Sequence, residues 1–200
     1  MMKIIGCFGQ MAAGKDTVVD YLVKQSDKWK KVGFADALKN VFMNSFDVNR
    51  EFIEKWKRRD EIPPGFNLNV RKSLQQIGDG FRKIQSDVWI NIVMRNNINC
   101  ILSDGRYINE AIAIKENYGF NILFWRKDFE NDDPNPSESQ IKPFVDYCLK
   151  YREEGPLMHE DMAFPNLEYF DFFLKNDGSL DDLYGKIDKF LVPCLKSKGF

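Results

Sequence analysis

Gly6-Cys7-Phe8-Gly9-Gln10-Met11-Ala12-Ala13-Gly14-Lys15-Asp16-Thr17 is the stretch on which the reading of this chain turns. The apolar pair Ile4-Ile5 precedes it, and Val18-Val19-Asp20-Tyr21-Leu22-Val23 follows. The pattern therefore reads as buried strand, glycine turn, buried helix. Gly9-x4-Gly14-Lys15 has the spacing of a phosphate-binding loop. Its glycines let the backbone turn so that successive N–H groups point inward at an anion, and the N-terminus of the following helix adds partial positive charge. Lys15 is then the mobile cation for the outer phosphates. The hydroxyl residue follows one position late, as Thr17, because Asp16 intervenes.

Composition narrows the class. The chain has 200 residues, 44% apolar and 30% charged, which suits one soluble domain with insertions. A net charge of −1 argues against a nucleic-acid polymer or an anionic membrane as the main partner. No apolar run approaches a membrane span, and Met1-Met2-Lys3 opens no secretory signal. Cys7, Cys100, Cys148 and Cys194 are scattered and read as free thiols, which predicts a cytoplasmic setting. A single histidine, His159, excludes two-histidine zinc motifs and weakens any Ser-His-Asp hydrolase reading.

Outward from the loop, strands are expected over 3–8, 31–35, 99–104, 121–125 and 169–174. Between them fall helices over 15–24, 36–45, 49–57, 70–84, 110–118 and a weaker one over 144–152, with a last helix from Ser179. A further helix after Ser86 or Asp87 carries Trp89, Ile92 and Val93. Asp36 is the expected N-cap of the second helix and Asn69 of the 70–84 helix. In that helix Leu74, Ile77, Phe81 and Ile84 form the apolar stripe, while Arg71, Gln75, Gly78 and Arg82 share a neighbouring face. Gly78 costs about 1 kcal/mol of helix propensity, and close approach to a ligand would be one reason for it. The basic segment from Lys55 to Arg59 reads as a solvated helix end.

Strands alternating with helices imply a parallel sheet covered on both faces, with ligands at the carboxyl ends of the strands. The phosphate loop and Asp104 both fall at such ends. An acid closing an apolar strand suits a carboxylate that holds the waters of a Mg²⁺ ion.

Several motifs together resemble a family. They are Gly14-Lys15-Asp16-Thr17, Phe34-Ala35-Asp36-Ala37-Leu38-Lys39, Arg71-x-x-Leu74-Gln75-x-x-Gly78, Asp87-x-Trp89, Ser103-Asp104-x-Arg106-Tyr107-x-Asn109-Glu110 and Asn176-Asp177-Gly178-Ser179-Leu180. The combination is similar to the deoxynucleoside monophosphate kinases of tailed phages and other viruses, from the first strand to the last helix. The resemblance implies an α/β P-loop fold with five parallel strands in order 2-3-1-4-5. It implies a core of 1–45, 98–126 and 166–200, an acceptor-binding helical insertion over about 46–97, and a lid over about 127–165. The implied reaction moves the γ-phosphoryl of ATP to a dNMP with Mg²⁺, giving dNDP and ADP.

The implied donor-side residues are Gly9, Ala12, Ala13, Gly14, Lys15, Asp16 and Thr17, with Arg126 against the adenine or the lid hinge. Thr17 and Asp104 would serve the metal, in part through water. Asp36 lies where an acid near the transferring phosphoryl is expected, and Arg71 and Arg82 would grip the acceptor 5′-phosphate. Asp104 and Arg106 would line the transfer site, with Lys39, Gln75, Gly78, Trp89 and Glu110 on the substrate side. The segment His159-Glu160-Asp161-Met162 only half matches the family's lid motif. Other small-molecule P-loop kinases, acting on dephospho-coenzyme A or phosphomevalonate, share the fold, and a non-catalytic ATP-binding module is the reading from another class. No Asn-Lys-x-Asp guanine motif occurs. Small-molecule nucleotides are the expected partners, and the sequence leaves homodimerisation open.

Overall fold

The computed structural model describes residues 2–95, 98–127, 139–157 and 164–200. Two compact units divide the chain: Met1–Gly33 with Asn97–Phe200, and Phe34–Asn96.

The first unit is a sheet between helices. Its strands are β1 (Ile4–Phe8), β2 (Lys30–Val32), β3 (Cys100–Gly105), β4 (Phe120–Arg126), β5 (Gly155–Pro156) and β6 (Phe172–Asn176). They lie in the order β2-β3-β1-β4-β6-β5. Five of them are parallel neighbours, in the order the sequence implied. The expected count of five needs correcting, because the two-residue β5 adds an antiparallel edge through Gly155↔Phe173 and Pro156↔Phe172. A Gly-Pro pair has no alternation to read, and proline is tolerated there because an edge strand needs no donor on its outer side.

Each β1 residue is buried, as a strand covered on both faces requires. On one face Ile5, Cys7, Ile122, Phe124, Phe172 and Leu174 pack with Val18, Val19 and Leu22 of α1 (Lys15–Lys24). Leu183 of the next-to-last helix α8 (Leu180–Lys186) joins them, with Leu195 of α9 (Val192–Ser197). The other face meets α6 (Ile108–Glu116), which packs on β1 and β4, and α7 (Lys142–Tyr151), which packs on β4. Ser179 and Asp182 form the expected capping box of α8. All four cysteines are free, and burial pushes the Cys7 thiol up to about 12, so it stays protonated.

The second unit is helical: α2 (Ala35–Phe46), α3 (Arg50–Trp56), α4 (Val70–Ile84) and α5 (Val88–Met94). Its core is Phe42, Ile53, Val70 and Leu74, all buried. Asn69 caps α4 as expected, its Oδ1 accepting from the Lys72 N–H at 3.0 Å. Asn49 caps α3 in the same way through Phe52. Asp36 is not the cap of α2, because the helix begins one residue earlier and Phe34 takes the capping position. The apolar stripe of α4 also needs correcting. Phe81 and Ile84 are exposed, at 39% and 85%, whereas Val70, Leu74 and Gly78 are the buried residues. These three recur at i, i+4 and i+8, so the buried line of α4 ends a turn before the helix does.

Of the expected lid, 128–138 and 158–163 lie outside the described residues, and His159-Glu160-Asp161-Met162 falls there. No helix among the described residues is long and apolar enough to cross a membrane.

Candidate active site

In the first unit the site begins where β1 ends. Gly9 (φ 152°) and Gly14 (φ 98°) both take left-handed backbone, and an added Cβ at Gly14 would lie 2.6 Å from Nδ2 of Asn176. Ala12, at φ 61°, is also left-handed, a conformation that costs an L residue roughly 1–2 kcal/mol. Such strain persists where its surroundings hold it, and two side chains do so here. Arg126 donates from Nη1 to the Ala12 carbonyl at 3.1 Å, and Asn176 donates from Nδ2 to the Ala13 carbonyl at 3.3 Å.

The helical ladder of α1 opens with the Val18 N–H donating to the Gly14 carbonyl at 3.1 Å. The amides of residues 15–17 precede it and are the ones a helix N-terminus presents to an anion. Lys15 is buried, and its ammonium donates to the Gly9 and Gln10 carbonyls, each at 2.6 Å. The loop therefore closes around its own cation. The Asp16 carboxylate pairs with Lys31 on β2 at 2.7 Å. The Asp16 side chain thus ties α1 to β2.

Asp104 reaches the same end of the sheet by a bulge. Gly6 pairs with Leu102 and Phe8 with Gly105, so β3 carries one residue more than β1 between these points. An extra residue bends a strand and re-aims the side chains next to it. Gly105 is required there, since a Cβ would sit 2.6 Å from the Phe8 ring. Just beyond, the buried Glu110 carboxylate accepts from the Arg106 N–H at 2.8 Å and the Tyr107 N–H at 3.1 Å. Glu110 thereby fixes the turn that carries Asp104 and Arg106 into α6. Among the described residues no group of three or more His, Cys, Asp or Glu converges as a metal cage.

The second unit gathers the other candidates. The Asp36 carboxylate receives Nη2 of Arg50 at 2.7 Å, and the Lys39 ammonium lies 3.1 Å from Glu54. Burial alone would raise the Glu54 carboxyl. The hydrogen bond from Lys57 and the charges of Lys39 and Lys57 outweigh it and hold the group at about 2. Arg71 and Gln75 are half-buried on α4. Arg82, on the same helix, lies 3.8 Å from Asp79.

Gly78 is buried within this unit, where an added Cβ would lie 3.2 Å from Nη1 of Arg82 and 3.4 Å from Leu38, and its carbonyl accepts from the Trp89 indole at 3.4 Å. Leu38, Arg82 and Trp89 are thus the protein neighbours that come close to Gly78. Trp89 itself is 3% exposed.

Sequence reasoning missed Arg50, Glu54 and the bracing role of Asn176. The first two were legible as an i, i+4 acid–base pair on α3, but nothing in the spacing paired them with α2.

No protein-family model matches the chain. Among solved structures it is similar to a dephospho-CoA kinase from Campylobacter jejuni, with TM-score 0.46, 14% identity and all of both chains covered. It is also similar to a thymidylate kinase from Candida albicans, with TM-score 0.37, 13% identity, and 94% and 91% of the two chains covered. In sequence it is 30% identical over 168 residues to a protein of Acanthamoeba polyphaga mimivirus named "Putative deoxynucleotide monophosphate kinase", covering 74% of this chain and 86% of the relative. Identity at that level, over most of the relative's length, shows the lineage: the chain belongs to the deoxynucleotide monophosphate kinase family.

Proposed function

We propose that this protein transfers the γ-phosphoryl of ATP to the phosphate of a deoxynucleoside monophosphate, giving dNDP and ADP. The observation that carries the reading is Lys15. Its ammonium is held 2.6 Å from two loop carbonyls at the mouth of α1, in the same sheet unit as β3, whose next-to-last residue is Asp104. The name of the mimivirus relative supports a deoxynucleotide as acceptor.

Phosphoryl transfer asks the protein mainly for positioning and charge neutralisation. In this reading the loop amides and Lys15 bind and orient the donor phosphates, with Gly9, Ala12, Ala13, Gly14, Asp16 and Thr17 shaping the cradle. Arg126 and Asn176 brace it from behind. Thr17 and Asp104 offer hard oxygen donors, which suit a Mg²⁺ that takes one or two protein oxygens and shares the rest with phosphates and water. When bound, that ion would neutralise charge developing on the outer phosphates. Arg106 lines the transfer site, in a turn fixed by Glu110.

The helical unit is proposed as the acceptor side. Arg71 and Arg82 grip the monophosphate, with Gln75 beside them on the α4 face. Asp36, with Lys39 one turn on, is the acid proposed to serve the transferring phosphoryl, while Gly78 and Trp89 support the α4 wall.

A coupled ADP assay across the four dNMPs, the NMPs and dephospho-coenzyme A tests this. ADP release that depends on a dNMP is the expected result. Release driven by dephospho-coenzyme A, or by no acceptor at all, would overturn it.

A further inference from the structure

Charge in the helical unit is arranged as a ladder in which the reading above leaves Arg50 and Glu54 without a role. Asp36 and Lys39 lie one turn apart on α2, and Arg50 and Glu54 one turn apart on α3. Nη2 of Arg50 meets Asp36 at 2.7 Å, and its Nε meets Oε1 of Glu54 at 3.2 Å. That same oxygen faces the Lys39 ammonium at 3.1 Å, while Lys57 takes the other carboxylate oxygen. Acid and base therefore alternate from Asp36 through Arg50 and Glu54 to Lys39.

We propose that Arg50 and Glu54 are positioning residues that set Asp36 and Lys39 for phosphoryl transfer, a role resting on the reading of Asp36 above. Two arguments separate this from a mere tie between helices. First, α2 and α3 are already joined by apolar packing, with Phe42 and Ile53 both fully buried. Half-exposed ion pairs add only about 0–1 kcal/mol to that. Second, the ladder acts on groups that are costly to place. A free lysine carries about 2 kcal/mol of rotamer entropy, and Glu54 keeps the Lys39 side chain at 14% exposure. An isolated carboxylate near incoming phosphates would repel them, and the Arg50 guanidinium offsets its charge while fixing its direction. Three cations against two carboxylates leave the cluster net positive, as an anionic acceptor requires.

The test compares Arg50→Met, Arg50→Lys, Glu54→Gln and Asp36→Asn using ATP and the best of the four dNMPs, with folding checked by circular dichroism. Arg50→Met should lower kcat by about ten-fold or more, the scale of a small misplacement of reacting groups. The KM for ATP should stay within about two-fold, since the donor loop is untouched. Arg50→Lys should recover part of the loss, and Glu54→Gln should reproduce a weaker version of it. Added to Asp36→Asn, Arg50→Met should cost much less than it does alone, because its direct target is gone and only its contact with Glu54 remains. Additive losses, or wild-type kcat in Arg50→Met beside an impaired Asp36→Asn, would overturn the positioning role alone. An unimpaired Asp36→Asn would overturn the reading of Asp36, and the positioning role with it.

Discussion

In the first unit the ammonium of Lys15 is held by two main-chain carbonyls at 2.6 Å, whereas in the second the ammonium of Lys39 is held by a carboxylate at 3.1 Å. The first site is built from backbone. Its form depends on left-handed residues at Gly9, Ala12 and Gly14, and on carbonyls that a side chain cannot replace. The second is built from side chains that pair with one another, and its form depends on which helices meet. The difference predicts opposite failures. A substitution in the loop should remove donor binding outright, while one in the ladder or on α4 should change rate or affinity by degrees.

The largest effect expected is at Lys15. Lys15→Ala deletes both the cation proposed for the phosphates and the two hydrogen bonds that close the loop, so phosphoryl transfer should fall by about two to three orders of magnitude. ATP affinity should fall with it, while the sheet keeps its melting temperature within a few degrees. Isothermal titration with ATP and a steady-state assay check this, and wild-type turnover would remove the loop from the mechanism.

Smaller, and on one helix, is the contrast between Arg71 and Leu74. If Arg71 binds the acceptor phosphate, Arg71→Ala should raise the dNMP KM by about ten-fold or more and leave ATP affinity unchanged. Leu74→Ala should do the reverse, lowering stability by about 2–5 kcal/mol because Leu74 is only 9% exposed. Denaturant melts and dNMP saturation curves read the two. Unchanged acceptor kinetics in Arg71→Ala would mean that the phosphate is held elsewhere.

The smallest effect is a pH dependence in the ladder. Glu54 is held down from the ordinary 4.5 to about 2 despite its partial burial, by Lys57 and Lys39. A depressed carboxyl contributes stability that is present above 4.5 and lost as pH falls through 2. Wild type should therefore exceed Glu54→Gln in stability at neutral pH. The gap should close between about pH 4.5 and 2, and because Glu54 is partly solvated it should not exceed about 1 kcal/mol. Melting curves across that range check it, and a gap that widens in acid would contradict the ladder.

How much of this was legible in the sequence follows the same division. Gly9-x4-Gly14-Lys15 could be read because a backbone cradle imposes residue spacing, and the parallel strand order followed once the family was seen. Asn69 announced α4 because a cap is local. Asp36 misled as a cap because the first turn of α2 looks the same one residue either way, and only the Arg50 contact shows where its carboxylate goes. Phe81 and Ile84 continued the stripe in periodicity alone, since a pattern cannot say where the covering neighbours stop. Gly78 was placed on the right helix, but its closeness to Leu38 and Trp89 is a tertiary fact that no spacing announces. The two-residue β5 left no pattern at all.

Following the γ-phosphoryl itself tests the central claim most directly. Phosphorus-31 spectra of the protein with ATP, Mg²⁺ and each dNMP in turn distinguish a deoxynucleoside diphosphate from inorganic phosphate. The account predicts that the β-phosphate resonance of a dNDP grows in step with ADP, and that it vanishes in Lys15→Ala. Loss of ATP to inorganic phosphate alone, or ATP unchanged with every dNMP, would contradict it.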